Sequence, residues 1–135
     1  MTQKRSILVV DDELGPRESL RMILKSSYDV HTASTGQEAI QFINQEKVDL
    51  VTLDLKMPGI SGLDTLRAIK KLKNDIDVIV ITGYATPANA LEAIRHGARD
   101  FIAKPFNVHA IIESVNRSFE RRSFYQKGKK PETTN

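Results

Sequence analysis

The hydrophobic residues of this chain follow two alternating spacings, short unbroken runs and longer stretches with helical periodicity. The short runs are rich in β-branched residues, as in the segment Ile7–Val10, which is typical of strands buried on both faces. An alternation of buried strands with amphipathic helices predicts βα repeats and a parallel sheet. We therefore predict an α/β protein, a doubly wound sandwich with five parallel strands and five helices.

Boundaries of these elements follow from apolar runs and capping residues. The predicted strands are Ile7–Val10, Val30–Ala33, Val48–Leu53, Val78–Ile81 and Phe101–Ala103. The predicted helix starts are marked by Pro16, the capping-box pair Thr35 and Glu38, Ser61 with Asp64, Thr86 before Pro87, and Asn107, and Gly97 ends a helix. The apolar faces of the predicted helices include Leu20, Ile23 and Leu66. On the last helix the apolar pattern contains Ile111, Ile112, Val115 and Phe119.

Length and composition narrow the class of protein. The chain has 135 residues, which suits one domain, and 40% hydrophobic residues allow a substantial core. The absence of cysteine excludes a disulfide scaffold, a cysteine nucleophile and a thiolate metal site. The apolar runs are too short to span a bilayer, and the first six residues resemble no signal peptide. We expect a cytoplasmic protein with no membrane contact.

The net charge of +3 comes from the end of the chain. Residues 117–135 contain six Lys or Arg and two Glu, whereas residues 1–116 contain 14 Lys or Arg and 15 Asp or Glu. We expect a domain over residues 1–121, followed by a polar basic tail or the start of a linker over residues 122–135. Runs of like charge are usually solvated, so we do not expect direct binding of nucleic acid.

Polar side chains follow four of the predicted strands at the point where each strand ends. The first strand ends at Asp11-Asp12-Glu13, the third at Asp54, the fourth at Thr82-Gly83 and the fifth at Lys104-Pro105. Open parallel sheets bind ligands outside the carboxyl ends of their strands. We therefore expect the side chains of Asp11, Asp12, Asp54, Thr82 and Lys104 to converge on one site.

The chemistry of this set indicates a metal-assisted phosphoryl acceptor. Three close carboxylates repel one another unless a cation compensates them, and oxygen ligands alone favour Mg²⁺. A carboxylate beside Mg²⁺ and Lys104 can act as a nucleophile toward a phosphoryl group and form an aspartyl phosphate. Thr82 can donate a hydrogen bond to one of the transferred oxygens.

These residues resemble the receiver domains of two-component response regulators. The resemblance covers residues 5–121 and depends on the segments Ile7–Glu13, Leu53–Gly62, Ile81–Tyr84 and Lys104–Phe106. The stretch Thr82–Thr86 is more similar to receivers of enhancer-binding transcriptional regulators than to chemotaxis receivers. The resemblance implies a flavodoxin-like (βα)₅ fold.

The resemblance also implies a role for each site residue. Asp54 would accept the phosphoryl group from a histidine kinase or a phosphotransfer protein, and Lys104 would pair with the phosphoryl oxygens. The implied Mg²⁺ ligands are Asp11, Asp12, Asp54 and the backbone carbonyl of Lys56. The implied switch residues are Thr82, which would move toward the phosphoryl group, and Phe101, which would rotate inward. Lys56 and Tyr84 would tune the access of water, and the Lys104–Pro105 bond would be cis.

We expect phosphorylation to change the surface formed by the fourth helix, the fifth strand and the last helix. A homodimer formed on phosphorylation and an effector domain in a longer chain are further partners that the resemblance allows. A receiver would not be an enzyme in the ordinary sense, because it catalyses only its own phosphorylation and dephosphorylation.

Three alternatives remain open on the sequence. A phosphohydrolase of the haloacid-dehalogenase type also forms an aspartyl phosphate. It needs a nucleophilic Asp after the first strand and a second Asp two residues later, but here the first strand ends in adjacent Asp11-Asp12 and residue 13 is Glu. An interaction module with the same fold but no phosphorylation would not need all five site residues. A nucleic-acid binder would use the basic tail, and its binding would depend on salt.

Overall fold

A computed structural model describes the backbone of residues 4–133 and the side chains of residues 4–122. Within that range, five parallel strands alternate with five helices, as predicted. The elements in chain order are β1 (Ser6–Val10), α1 (Leu14–Leu24), β2 (Asp29–Ala33), α2 (Gly36–Gln45), β3 (Leu50–Leu53), α3 (Gly62–Leu72), β4 (Asp77–Thr82), α4 (Pro87–Arg95), β5 (Asp100–Ala103) and α5 (Val108–Thr133).

The strand order across the sheet is β2-β1-β3-β4-β5, the order of a flavodoxin-like doubly wound fold. The chain reverses direction across the sheet between β1 and β3, since β2 lies on one side of β1 and the later strands lie on the other. Such a reversal leaves a crevice at the carboxyl ends of the two central strands. The fold therefore places its binding site beside the residues that follow β1 and β3.

Each face of the sheet packs against helices, and this explains why the strands are apolar throughout. Leu8 and Val10 face a core shared with α2, α3 and α4, whereas Ile7 and Val9 face a core shared with α1 and α5. Alternate residues of one strand therefore point into two different apolar layers. Leu20, Leu66 and Ile111 are fully buried, as predicted, and Ile23 is partly buried.

Most predicted helix starts are confirmed by side-chain caps. The hydroxyls of Ser61 and Thr86 each accept a hydrogen bond from a backbone N–H three residues later, and so does the Asn107 carboxamide oxygen. In the predicted capping box, Thr35 accepts from the N–H of Glu38 at 3.1 Å. The Glu38 carboxylate accepts hydrogen bonds from the backbone N–H and the hydroxyl of Ser34. A capping box would instead use the backbone N–H of Thr35, one residue later.

Two element boundaries differ from the prediction by more than one residue. β3 begins at Leu50 and not at Val48, which lies in the loop before the strand. Val48 is buried there, and a buried loop residue has the same hydrophobic signature as a strand residue, so the prediction began the strand too early. α5 continues to Thr133, well past the last apolar residue of the predicted pattern. The predicted basic tail covers residues 122–135, and of these the side chains of residues 123–135 lie outside the described part of the chain.

One residue of the apolar pattern predicted for the last helix is exposed. Ile112 is 39% exposed, whereas its neighbour Ile111 is buried. Consecutive helical residues differ by about 100° around the axis, so both cannot face the same core. Within residues 4–133, no helix combines the length and the hydrophobicity that a bilayer span requires.

Candidate functional site

The site residues lie at the carboxyl edge of the sheet, where the strand ladders end. The backbone N–H of Asp11 donates to the carbonyl of Ala33, and that of Asp54 donates to the carbonyl of Val10, both at 3.1 Å. These bonds continue the ladders by one residue beyond each strand. The sheet itself therefore fixes the backbones of Asp11 and Asp54 on adjacent strands.

Lys104 reaches this pair from the edge of the sheet. It follows β5, and β4 separates that strand from β3, so only a long side chain can span the distance. Its Nζ donates to Asp11 Oδ2 at 2.7 Å and to Asp54 Oδ2 at 2.8 Å. The ammonium is thus the counter-charge between two buried carboxylates, and the Lys104 side chain is itself only 12% exposed.

The second oxygen of Asp54 has two donors of its own. The Thr82 hydroxyl donates to Asp54 Oδ1 at 2.7 Å, and the backbone N–H of Lys56 donates to the same oxygen at 3.1 Å. The backbone N–H of Tyr84 in turn donates to the Thr82 hydroxyl oxygen. The hydroxyl predicted to move toward the site on phosphorylation is therefore already bonded to Asp54.

The three aspartates form a cluster that fits a divalent cation. One carboxylate oxygen from each of Asp11, Asp12 and Asp54 lies within 4.8 Å of the others. Asp11 and Asp54 are 2% and 4% exposed, whereas Asp12 is open to solvent. Oxygen ligands and an open side suit Mg²⁺, which keeps several water ligands when it binds protein. The donor set could hold a metal ion of this kind.

Burial and charge shift the pKa values of the groups at the centre of the cluster. Burial raises the pKa of Asp11, and the hydrogen bonds from Lys104 and from the backbone of Glu13 only partly oppose this. Burial by itself lowers the pKa of Lys104, but its bonds to Asp11 and Asp54 outweigh that effect and raise the pKa well above its usual value. Lys104 is therefore fully charged at neutral pH.

A cleft of about 290 Å³ opens above Asp54 and is bordered by Lys56 and Tyr84. The Lys56 ammonium lies 5.2 Å from the centroid of the Tyr84 ring, within the range of a cation–π contact. A hydrogen bond with Tyr84 raises the pKa of Lys56. These two side chains meet at the mouth of the cleft, where they limit the space above Asp54.

The remaining predicted site residues lie around this centre. The Lys104–Pro105 peptide bond is cis. Phe101 lies on β5, partly buried against the core that α2, α3 and α4 cover. The structure therefore brings the carboxylates, the hydroxyl and the ammonium together, and it places Phe101 in the adjacent core rather than in the cleft.

Two contacts of the site were not predicted from the sequence. The Glu13 carboxylate lies 3.4 Å from Lys104 Nζ and adds a third acidic group to its surroundings. Arg17 on α1 donates to the backbone carbonyl of Asp11 at 2.9 Å and so supports the turn after β1. The acidic run after β1 could have indicated Glu13, but nothing in the sequence singles out Arg17 among the other arginines.

Comparison with known proteins agrees with this geometry. The sequence matches the family model of the response regulator receiver domain over residues 7–116. It is 36% identical to the chemotaxis protein CheY of Thermotoga maritima over 115 residues, which covers 84% of this chain and 96% of that protein. The structure matches the signal receiver domain of a LuxO repressor protein from Vibrio parahaemolyticus with a TM-score of 0.86 and 32% identity, over 91% of this chain and 95% of the other.

Longer regulators match as well. The chain is 32% identical over 123 residues to the C4-dicarboxylate transport transcriptional regulatory protein DctD of Rhizobium meliloti. That match covers 90% of this chain but only 27% of DctD. The chain therefore spans nearly all of CheY and about a quarter of DctD.

The carboxylate cluster at the switch point of a 2-1-3-4-5 sheet, together with these matches, defines a phosphoacceptor switch of two-component signalling, a class of protein that works with kinases. This chain belongs to the receiver domain family of response regulators. The predicted family is confirmed, and the relatives of this chain include transcriptional regulatory proteins such as DctD. A receiver of this kind is not a classical enzyme.

Proposed function

We propose that Asp54 is the residue that accepts the phosphoryl group, from a histidine kinase or a phosphotransfer protein. The observation that supports this most directly is the position of its carboxylate, which lies at the cleft with Lys104 on one oxygen and Thr82 on the other. An Asp54 oxygen forms the new P–O bond while the P–N bond to the donor histidine breaks. The bonding electron pair remains on the imidazole, which takes up a proton.

Lys104 and Thr82 stabilise the charge that develops in this transfer. The ammonium is already beside Asp54 Oδ2 and needs little rearrangement to contact a phosphoryl oxygen. The Thr82 hydroxyl can turn its hydrogen bond from Asp54 Oδ1 to a second phosphoryl oxygen. The two groups therefore provide preorganised donors on the two sides of the acceptor.

Asp11, Asp12 and Asp54 would hold Mg²⁺, with the backbone carbonyl of Lys56 as a further ligand. When bound, Mg²⁺ neutralises charge on the oxygens of the transferred group. The protein's own part is to keep Asp11 and Asp54 close together at the sheet edge. Lys104 makes this possible because it offsets their mutual repulsion.

The switch is a population shift in which Thr82 and Phe101 take part. The bond between Thr82 and Asp54 resembles the arrangement expected after phosphorylation, which supports an active conformation that is accessible before the group is transferred. Phosphorylation would favour inward rotation of Phe101 and change the surface of α4, β5 and α5. That surface would control the downstream output.

Lys56 and Tyr84 set the lifetime of the phosphorylated state. They meet across the mouth of the cleft, where water must enter to hydrolyse the aspartyl phosphate. The protein would thus catalyse its own phosphorylation and dephosphorylation, and would not turn over a free substrate.

The partners of the full protein are part of the same proposal. An effector domain after α5 is supported by relatives such as DctD, in which the matched part is a small fraction of the chain. Four further points stay predictions. They are a homodimer formed on phosphorylation, the division into residues 1–121 and a basic tail, the absence of membrane and nucleic-acid partners, and a cytoplasmic location.

The test is phosphorylation by acetyl phosphate with and without Mg²⁺. Wild type should take up the label only with Mg²⁺, Asp54→Asn should take up none, and the matched control Asp75→Asn, at an exposed position outside the cleft, should behave as wild type. Undiminished stoichiometric labelling of Asp54→Asn would refute the assignment. Steady turnover of a phosphomonoester such as p-nitrophenyl phosphate would instead favour the phosphohydrolase.

A further inference from the structure

Two buried serines lie on the sheet side of α5. Ser114 and Ser118 are 3% and 1% exposed, and they are one helical turn apart. The Ser114 hydroxyl donates to Asp100 Oδ2 at 2.6 Å, and the Ser118 hydroxyl donates to Asp77 Oδ2. Both hydroxyls are therefore satisfied by carboxylates of the sheet, in a position where a hydroxyl without a partner would be costly.

The two acceptors begin the strands that lead to the site. Asp77 is the first residue of β4, and Thr82 is the last. Asp100 is the first residue of β5, and Lys104 directly follows that strand. α5 therefore forms hydrogen bonds with the first residues of β4 and β5. Thr82 and Lys104, which contact Asp54, stand at the opposite ends of the same two strands.

Asp100 connects α5 to Phe101 in particular. Its Oδ1 accepts a hydrogen bond from the backbone N–H of Phe101 at 2.8 Å, and its Oδ2 also accepts from Arg117 on α5 at 3.0 Å. A single carboxylate therefore joins the backbone of a predicted switch residue to two side chains of α5. A rearrangement of the backbone at Phe101 would change the direction of these bonds.

The apolar face of α5 does not by itself specify a register along the sheet. Ile111, Val115 and Phe119 contact the core through hydrophobic burial, which has no directional preference. Hydrogen bonds require defined distances and angles. Slippage of the helix by one turn would separate each serine from its own acceptor and leave one of the two carboxylates without a hydroxyl, whereas much of the apolar contact would persist.

We propose that the pairs Ser114–Asp100 and Ser118–Asp77 lock the register of α5 on β4 and β5, and that this register lock transmits the state of the phosphoacceptor site to α5. The second half of the proposal rests on the proposed function of Asp54, Thr82 and Phe101. Because α5 is one continuous helix to Thr133, a slip of one turn would move its far end by about 5.4 Å. The lock would therefore control the position of whatever follows α5.

The register can be measured without phosphorylation. The chain has no cysteine, so Gln41→Cys on α2 and Arg121→Cys on α5, both at exposed positions, give two unique sites for spin labels. Wild type should show one narrow distance between the labels, and Ser114→Ala/Ser118→Ala should show a broadened or displaced distribution. The same narrow distribution in both proteins would overturn the lock. Should the double variant fail to fold, the two single variants are compared in the same way.

A matched control removes a different polar contact of the same helix. The Asn116 side chain on α5 accepts a hydrogen bond from the Tyr28 hydroxyl, which belongs to neither β4 nor β5. Asn116→Ala should keep the narrow distance of wild type. Equal broadening in Asn116→Ala would show that any loss of polar contact loosens α5, and would contradict a specific role of the two serines.

Transmission is tested by amide hydrogen exchange of α5 before and after labelling with acetyl phosphate and Mg²⁺. Phosphorylation should change the exchange rates of α5 in wild type and Asn116→Ala. This change should be lost in Ser114→Ala/Ser118→Ala, although that variant takes up as much label as wild type. A labelled double variant that keeps the wild-type response would overturn transmission. Failure of wild type to take up label would refute the proposed function instead, while the spin-label distances would still decide the register lock.

Discussion

The Thr82 hydroxyl donates a hydrogen bond of 2.7 Å to Asp54 Oδ1, and the two residues are joined across neighbouring strands of the sheet. Lys104 binds the other oxygen of the same carboxylate. Asp54 is therefore held by two side chains, one from the last residue of β4 and one from the residue that directly follows β5. This arrangement makes the stability of the site and its chemistry depend on the same contacts.

Replacement of Lys104 by methionine tests this dependence. Lys104→Met should lower the free energy of unfolding by about 3 kcal/mol without Mg²⁺, because it leaves two buried carboxylates without their counter-charge. Mg²⁺ should restore more stability to the variant than to wild type, since it would compensate the same carboxylates. Urea unfolding with and without Mg²⁺ measures both effects. Equal stabilisation of the two proteins by Mg²⁺ would contradict the idea that Lys104 and Mg²⁺ compensate the same carboxylates.

Gly62 tests the geometry of the loop that follows Asp54. A Cβ on residue 62 would collide with backbone atoms of Asp54 and Leu55. Gly62→Ala should therefore cost about 2 kcal/mol of stability and slow the labelling of Asp54. Gly15→Ala is the matched control, because a Cβ there meets nothing within 4 Å and alanine favours the helix, so it should gain about 0.5 kcal/mol. Similar unfolding curves for the two variants would argue against the tight loop.

Thr52 offers a stabilising substitution. It lies in β3 at 1% exposure, and its hydroxyl has no hydrogen-bond partner among the described residues. Thr52→Val keeps the shape and removes a buried polar group, so it should raise the free energy of unfolding by about 1 kcal/mol. The labelling of Asp54 should not change. A destabilised variant would mean that the hydroxyl has a partner, such as a buried water molecule.

Glu38 gives a pH dependence with a defined sign. Hydrogen bonds from the backbone and hydroxyl of Ser34 lower the pKa of Glu38. A lowered pKa in the folded state adds stability above the unfolded value, near pH 4.5, and this stability disappears as the pH falls through the folded value. Glu38→Ala should thus cost about 0.5 kcal/mol at pH 7 and less in strong acid, where the protonated carboxyl accepts these bonds more weakly.

Unfolding of Glu38→Ala and wild type at a series of pH values measures this difference. Glu38→Gln is a useful control, because its carboxamide oxygen still accepts the bonds from Ser34 but does not titrate. A difference between wild type and Glu38→Ala that stays constant down to strong acid would rule out the ionised carboxylate as its source.

The residues of the site could be predicted from the sequence, but the hydrogen bonds between them could not. Asp11, Asp54 and Lys104 were found because parallel strands bring their carboxyl ends to one edge, so the end of each apolar run locates a site residue. Their hydrogen bonds depend on side-chain conformations that the sequence does not specify. The inward position of Thr82 is the clearest case, because the expected movement on phosphorylation implied a hydroxyl that starts away from Asp54.

The limits of fold prediction have similar physical causes. Val48 and Ile112 are hydrophobic, but one lies in a buried loop and the other on an exposed helix face. Hydrophobicity indicates burial and not conformation, and two adjacent isoleucines leave the orientation of a helix ambiguous by about 100°. Ser114 and Ser118 had no signal at all, since serine on a helix is usually exposed and their acceptors are far away in sequence.

Peptide mapping of the phosphorylated protein tests the central claim most directly. The protein is labelled with acetyl phosphate and Mg²⁺, digested, and the modified residue is located by mass spectrometry. We predict a single phosphoryl group on the peptide that contains Asp54, and none when Mg²⁺ is removed by a chelator. A phosphoryl group on Asp11, Asp12 or a residue outside the cleft, or labelling that does not depend on Mg²⁺, would contradict the account.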